Sequence, residues 1–191
     1  MKVVAFNGST REDGNTAILV KHVFAELEKE GIETEMIQLA GKELRGCLAC
    51  YKCYINVNKR CIQENDALNT YIEKMMQADG IIMASPVYVA SVSPTMKALI
   101  DRAVMVCKAN SGLLRHKAGA AIVAVRRGGQ VHALDTMNHF FLISEMIVPG
   151  SSYWNFAFGL EKGDVDKDAE GIQTMQVLAQ NMAWLLKKLH G

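Results

Sequence analysis

Four cysteines fall within GCLACYKCYINVNKRC, residues 46 to 61, where Cys47, Cys50, Cys53 and Cys61 follow the pattern CxxCxxCx7C. Thiols at this density can ligate an iron–sulfur cluster, ligate zinc, pair as disulfides or work as redox thiols. Three cysteines at intervals of three, with a fourth further on, suit a cubane cluster, because turns in a loop bring successive sulfurs to one side. Zinc ribbons and fingers separate two CxxC pairs by a longer stretch, so the spacing fits zinc less well. Cluster and vacant thiols both stay open on the spacing alone. The fifth cysteine, Cys107, lies in a helical apolar pattern and reads as a small core residue.

Three further segments place polar or aromatic groups next to apolar runs. NGSTREDGNT, residues 7 to 16, brings the hydroxyls of Ser9, Thr10 and Thr16, the Asn15 amide and the Arg11 guanidinium to the start of a helix. That combination suits a phosphate: backbone N–H groups and the positive end of the helix dipole meet the anion, and Arg11 pairs with it. It is neither a Walker A loop nor a GxGxxG fingerprint, and a plain strand-to-helix turn capped by Asn or Thr accounts for it equally well. Glu12 and Asp13 must face water if a phosphate binds. SPVYVASVSP, residues 85 to 94, sets Pro86, Val87 and Tyr88 beyond an apolar run, a setting for a flat apolar ring or for ordinary packing. RRGGQ, residues 126 to 130, offers close backbone approach at its glycines and positive charge at Arg126 or Arg127.

The elements that position these loops follow from hydrophobic periodicity. Buried-strand patterns occupy 2–6, 80–85 and 119–125, polar and apolar residues alternate like a strand over 33–39, and Ile147 and Val148 start a brief last strand. Between them, Ala17, Val20, Phe24 and Leu27 mark a helix over 15–30 ended by Gly31, and Leu68, Tyr71, Ile72, Met75 and Met76 mark another that stops near Asp79. Ser93-Pro94 opens a third that runs to about Cys107, a fourth covers 131–146, and Met175, Leu178, Met182, Leu185 and Leu189 give the face of a last helix over 168–189. Alternating strands and helices call for a single doubly wound α/β domain over 1–191, with a five-stranded parallel sheet in the order 2-1-3-4-5. In that topology a ligand lies beyond the carboxyl ends of the strands, where the three loops fall.

Half of the 191 residues are apolar and 21% are charged, with a formal net charge of +1. So balanced a charge supplies no field to gather nucleic acid and no acidic face for a basic redox partner. No run reaches the length of a membrane span, and MKVVAFNGST reads as a strand rather than a targeting signal. A reducing, cytoplasmic setting is expected, which disfavours disulfides. His22, His116, His132, His139 and His190 are scattered, and no catalytic side chain is assigned.

GSTREDGNT, SPVYVASVSPTMKALIDR and RRGG, with SYWNFAFG and GDVDKDAEG later, resemble the NADPH-dependent FMN reductase and iron-sulfur flavoprotein branch of the flavodoxin-like superfamily. The resemblance implies an FMN-dependent oxidoreductase with NAD(P)H as donor and a small-molecule or protein electron acceptor. By position, Ser9, Arg11, Asn15 and Thr16, with Thr10 beside them, would hold the FMN phosphate. Pro86, Val87, Tyr88 and Ser91 would border the ring and ribityl chain, and Arg127, Gly128 and Gly129 would approach the ring's polar edge. Cys47, Cys50, Cys53 and Cys61 would hold a [4Fe-4S] cluster, although no proline follows Cys61 and the interval of seven is long for the family. A homodimer or homotetramer is also implied. A non-catalytic carrier that exchanges electrons with ferredoxin-like proteins is the rival reading, and a flavin-free scaffold is the third.

Overall fold

β-Branched and aliphatic runs form five strands in a computed structural model that describes residues 1–41 and 43–191: β1 (Lys2–Asn7), β2 (Glu33–Gln38), β3 (Gly80–Pro86), β4 (Ala118–Val125) and β5 (Phe156–Phe158). All pairings are parallel and the order is β2-β1-β3-β4-β5, as the alternation of elements requires. Register aligns Asn7 with Gln38 on one side and with Ala84 on the other, so β1 and β2 finish level and β3 runs two residues further, to Pro86.

Side chains that alternate along each strand feed two cores. Val4, Phe6, Ile81, Met83, Val123 and Val125 meet α3 (Leu68–Gln77), α4 (Pro94–Ala109) and α5 (Gln130–Ile143) on one face. Val3, Ala5, Ile82 and Ile122 meet α1 (Asn15–Lys29) and α6 (Ala169–His190) on the other. Phe6 is fully buried and stacks edge-on against Tyr71, with ring centroids 5.8 Å apart. Phe6→Ala is therefore expected to lower the unfolding free energy by about 3–5 kcal/mol, read as an earlier midpoint in urea.

Local chemistry sets the helix ends. Ser93 caps α4, its Oγ accepting from the Met96 amide at 3.3 Å, while its own amide donates to Ser85 Oγ at 2.9 Å. Asp168 caps α6 through the Gly171 amide at 3.0 Å. A five-residue helix, α2 (Lys52–Asn56), sits inside the cysteine segment and has no sequence signal of its own.

Two expectations need correction. The last strand is Phe156–Phe158, not the segment begun by Ile147 and Val148; Ile147 makes only an isolated bridge to Ala118, and Pro149, which has no N–H, cannot continue a ladder. In α6 the buried stripe runs through Met175, Leu178, Met182 and Leu186, with Ala179 and Ala183 between, so Leu185 is only partly buried and Leu189 is exposed. The two small alanines carry the contact that spacing of large residues alone assigns to leucines.

Candidate functional site

A cavity of about 290 Å³ opens at the carboxyl edge of β1, β3 and β4. Ser9, Thr10, Arg11, Asn15 and Thr16 line it from the first loop, and Pro86, Val87 and Tyr88 from the second. Ala124, Arg126, Gly159 and Leu160 complete it. The loop is held from below: buried Asn7 accepts from the Ser9 amide at 3.0 Å and donates to Gln38 at 2.7 Å, and Ser9 Oγ accepts from the Arg11 amide at 3.1 Å. Glu12 and Asp13 face solvent, as an anion site at this position requires.

The start of α1 has the character of an anion cradle. Its N-cap is Gly14, so neither Asn15 nor Thr16 caps it, and no side chain among the described residues bonds the first turn. The first helical bond is the Ile18 amide to Gly14 O at 3.1 Å, which leaves the preceding amides without helical partners. A Cβ at Gly14 would lie 2.9 Å from Arg11 Cβ and 3.2 Å from Arg11 O, so only glycine permits so tight a loop. Asn15 has a different task from donating to an anion: its amide donates to Glu161 O at 2.9 Å and accepts from the Gly163 amide at 2.8 Å, tying the 159–163 segment to the cavity wall.

The second loop is a strained turn. Tyr88 and Ser91 exchange both amide bonds, at 2.8 and 3.0 Å, around Val89 (φ 48°) and Ala90 (φ 59°). Both central residues take the left-handed conformation that such turns usually assign to Asn or Gly, and a β-branched residue there is an outlier of the kind that collects at functional sites. Ser91 thus forms the turn rather than the cavity lining. Thr10 Oγ1 lies 3.1 Å from the Tyr88 hydroxyl and joins the first two loops. From the third loop it is Arg126 that reaches the cavity, while Gly129 packs against Ala90 and Val87, and Arg127 and Gly128 lie on the exposed side.

Cys47, Cys50, Cys53 and Cys61 border a second, separate cavity against α4, together with Arg102, Met105 and Val106. All are free thiols. Cys53, in α2, is half-buried; burial first, then the neighbouring Cys61 and Cys50 thiols, push its pKa up, against backbone amides that pull it down. Among the described residues no group of three or more His, Cys, Asp or Glu side chains is placed to hold a metal ion. Ala49 (φ 49°), Tyr51 (54°), Val57 (46°) and Lys59 (62°) all take left-handed backbone in this segment. Cys107 is buried on the core side of α4, and burial pushes its thiol up to about 12, which leaves it inert.

Arg102 closes this segment from α4. Its side chain is 1% exposed and pairs through Nη1 with the equally buried Asp66. Nη1 also donates to Arg45 O at 3.1 Å, and Nη2 donates to Gln63 O at 3.0 Å and to Cys61 Sγ at 3.3 Å. Burial works against both charges, yet the guanidinium pKa is raised, by Asp66 and Cys61 together, and the carboxyl pKa is lowered, by Arg102 with the Leu68 and Arg45 amides. Asn69 pins Cys61 from the other side, accepting from its amide at 2.8 Å and donating to its carbonyl at 3.0 Å. A sequence signal for Arg102 exists: it is a charged residue on the face of α4 shared by Ala98, Leu99, Ala103 and Val106, all buried.

The family model for NADPH-dependent FMN reductase matches residues 1–161, and the chain belongs to that family. An iron-sulfur flavoprotein of Methanocaldococcus jannaschii is 38% identical, with 98% of each chain covered. An iron-sulfur flavoprotein of Methanosarcina thermophila is 30% identical over 98% of this chain and 96% of its own. Among solved structures, RosB with bound 8-demethyl-8-formylriboflavin-5'-phosphate superposes with a TM-score of 0.75 at 18% identity, covering 99% of this chain and 80% of that one. That likeness establishes a flavodoxin-like fold. Family membership and fold together make the protein an oxidoreductase of the flavin class.

Proposed function

We propose that this protein is an FMN-dependent NAD(P)H oxidoreductase that relays electrons through a [4Fe-4S] cluster. The carrying observation is the cavity at the carboxyl edge, where an uncapped helix start, a hydroxyl-rich loop and an apolar wall converge. The residues present fit the flavin: the Gly14 cradle and the unpartnered first turn of α1 suit a phosphate, and Pro86, Val87 and Tyr88 suit an aromatic ring. Ser9, Thr10, Arg11 and Thr16 hold the phosphate end, with Asn15 bracing the wall beside them. Arg126 supplies positive charge at the cavity, Arg127 and Gly128 lie at its rim, and Gly129 and Ser91 fix the turn that carries Tyr88. Bound there, FMN supplies two-electron exchange with a nicotinamide and single-electron exchange with another centre. The protein's own task is to orient, to exclude water on the apolar side and to offset the negative charge of the cofactor.

The cysteine cavity supports the cluster. The fold brings Cys47, Cys50, Cys53 and Cys61 to the lining of one small cavity, and three cysteines at intervals of three with a fourth further on suit a cubane better than the two separated CxxC pairs usual for zinc. The strained, exposed backbone from Ala49 to Lys59 further favours a segment shaped around a bound group. Cys47, Cys50, Cys53 and Cys61 are the ligands in this reading, and the cluster supplies one-electron transfer.

Leu48, Tyr51, Tyr54, Ile55, Val57 and Ile62 leave a large apolar surface around the cysteines. A homodimer or homotetramer that covers it, in the cytoplasm, completes the proposal. The same surface favours a second reading, a carrier whose donor is a ferredoxin-like protein rather than a nicotinamide. Anaerobic stopped-flow mixing separates the two. Bleaching of the bound flavin by NADH or NADPH is the expected result; bleaching by reduced ferredoxin alone would reject the reductase reading.

A further inference from the structure

We infer that Arg102 is a positioning residue for the cysteine centre, holding Cys61 through its sulfur and raising the reduction potential of the cluster bound there. This rests on the cluster reading above. The buried Arg102 fork spans both ends of the cysteine segment, from Arg45 O to Gln63 O, and one of its arms reaches Cys61 Sγ at 3.3 Å. Among the described residues its Nε–H is buried without a partner, so the side chain that lines the cavity retains one further donor. An N–H donor on a cysteine sulfur is worth more when the centre carries an additional electron, because the acceptor is then more negative. Donation from Arg102 therefore favours the reduced centre. Asp66 tempers the effect, since its carboxylate beside Nη1 keeps the buried pair near neutral.

That division of labour gives a signature of opposite signs. Arg102→Lys keeps a cation beside Asp66 but loses the planar fork that serves Cys61 and Gln63 together. Asp66→Asn leaves the guanidinium in place with its counter-charge removed. Each protein is purified anaerobically with its cofactors, its iron and FMN are quantified, and the cluster is titrated by EPR. We expect the midpoint of Arg102→Lys to move negative and that of Asp66→Asn to move positive, with four irons per chain retained in both. Midpoints unchanged from wild type, or moved in the same direction, would overturn the role while leaving the cluster intact. Should Arg102→Lys fail to fold or load, the sign of the Asp66→Asn shift decides alone. Iron-free wild-type protein would instead defeat the cluster reading itself, and this role with it.

Discussion

Cys53→Ala, purified without air, is expected to lose its cluster and keep its FMN: iron falls from four per chain to background while the flavin absorbance stays. Cys53 is the sharpest choice among the four. It projects from α2, the one regular element of the cysteine segment, and packs partly into the core that α4 covers, so its sulfur is fixed by the fold rather than by a loop. Cys47 and Cys50, by contrast, are exposed. Because the flavin cavity and the cysteine cavity have separate linings, loss of one cofactor does not entail loss of the other. Elemental analysis decides the outcome. Undiminished iron in the variant would remove Cys53 from the ligand set, and zinc in place of iron in the wild type would remove the cluster.

Gly129→Val is expected to weaken FMN binding about a hundredfold, whereas Gly128→Val, one residue earlier, should leave it within about twofold. Gly129 has φ +90°, where a β-branched residue is strained, and an added Cβ would stand 2.6 Å from Ala90 Cα and 3.0 Å from Ala90 Cβ. Ala90 belongs to the tight turn whose ends are Tyr88 and Ser91, so the clash displaces the wall of the flavin cavity. A few kcal/mol lost there corresponds to the stated factor, at about 1.4 kcal/mol per tenfold. Around Gly128 there is open space among the described residues and no left-handed backbone. Titration of the apoproteins with FMN, followed by quenching of flavin fluorescence, measures both constants. Equal affinities would show that the turn does not shape the site.

Much of the fold is legible because its period signals are long. A run such as KVVAFN is buried on both faces and reads as a parallel strand, and Ala17, Val20, Phe24 and Leu27 describe α1 without ambiguity. Phe156–Phe158 is too short to show alternation, and only its pairing with Val123–Val125 makes it a strand. The edge loops were legible as a set, since topology assigns them one location. Which side chain does what was not. Asn15 looks like an anion donor in sequence, yet its amide is spent on Glu161 and Gly163, about 150 residues away in the chain. Residue type does not separate Arg126 from Arg127 and the family resemblance points to Arg127, whereas the geometry of the turn puts Arg126 at the cavity. Asp66 and Arg102 become partners through the folding of two helices around the cysteine segment, a coincidence in space that no spacing encodes.

One helix serves both cavities. Ser93, at the start of α4, hydrogen-bonds to Ser85 beneath the flavin loop, while Arg102 and Val106 of the same helix wall the cysteines. At 1.5 Å per residue the eight steps from Pro94 to Arg102 amount to about 12 Å. α4 is thus a ruler: the interval between the Ser93–Ser85 contact and the Arg102 wall of the cysteine cavity is graduated in helical turns. A single-residue insertion between Ser93 and Arg102 would turn Arg102 by about 100° about the helix axis, away from Asp66 and Cys61, while leaving the cap at Ser93 in place.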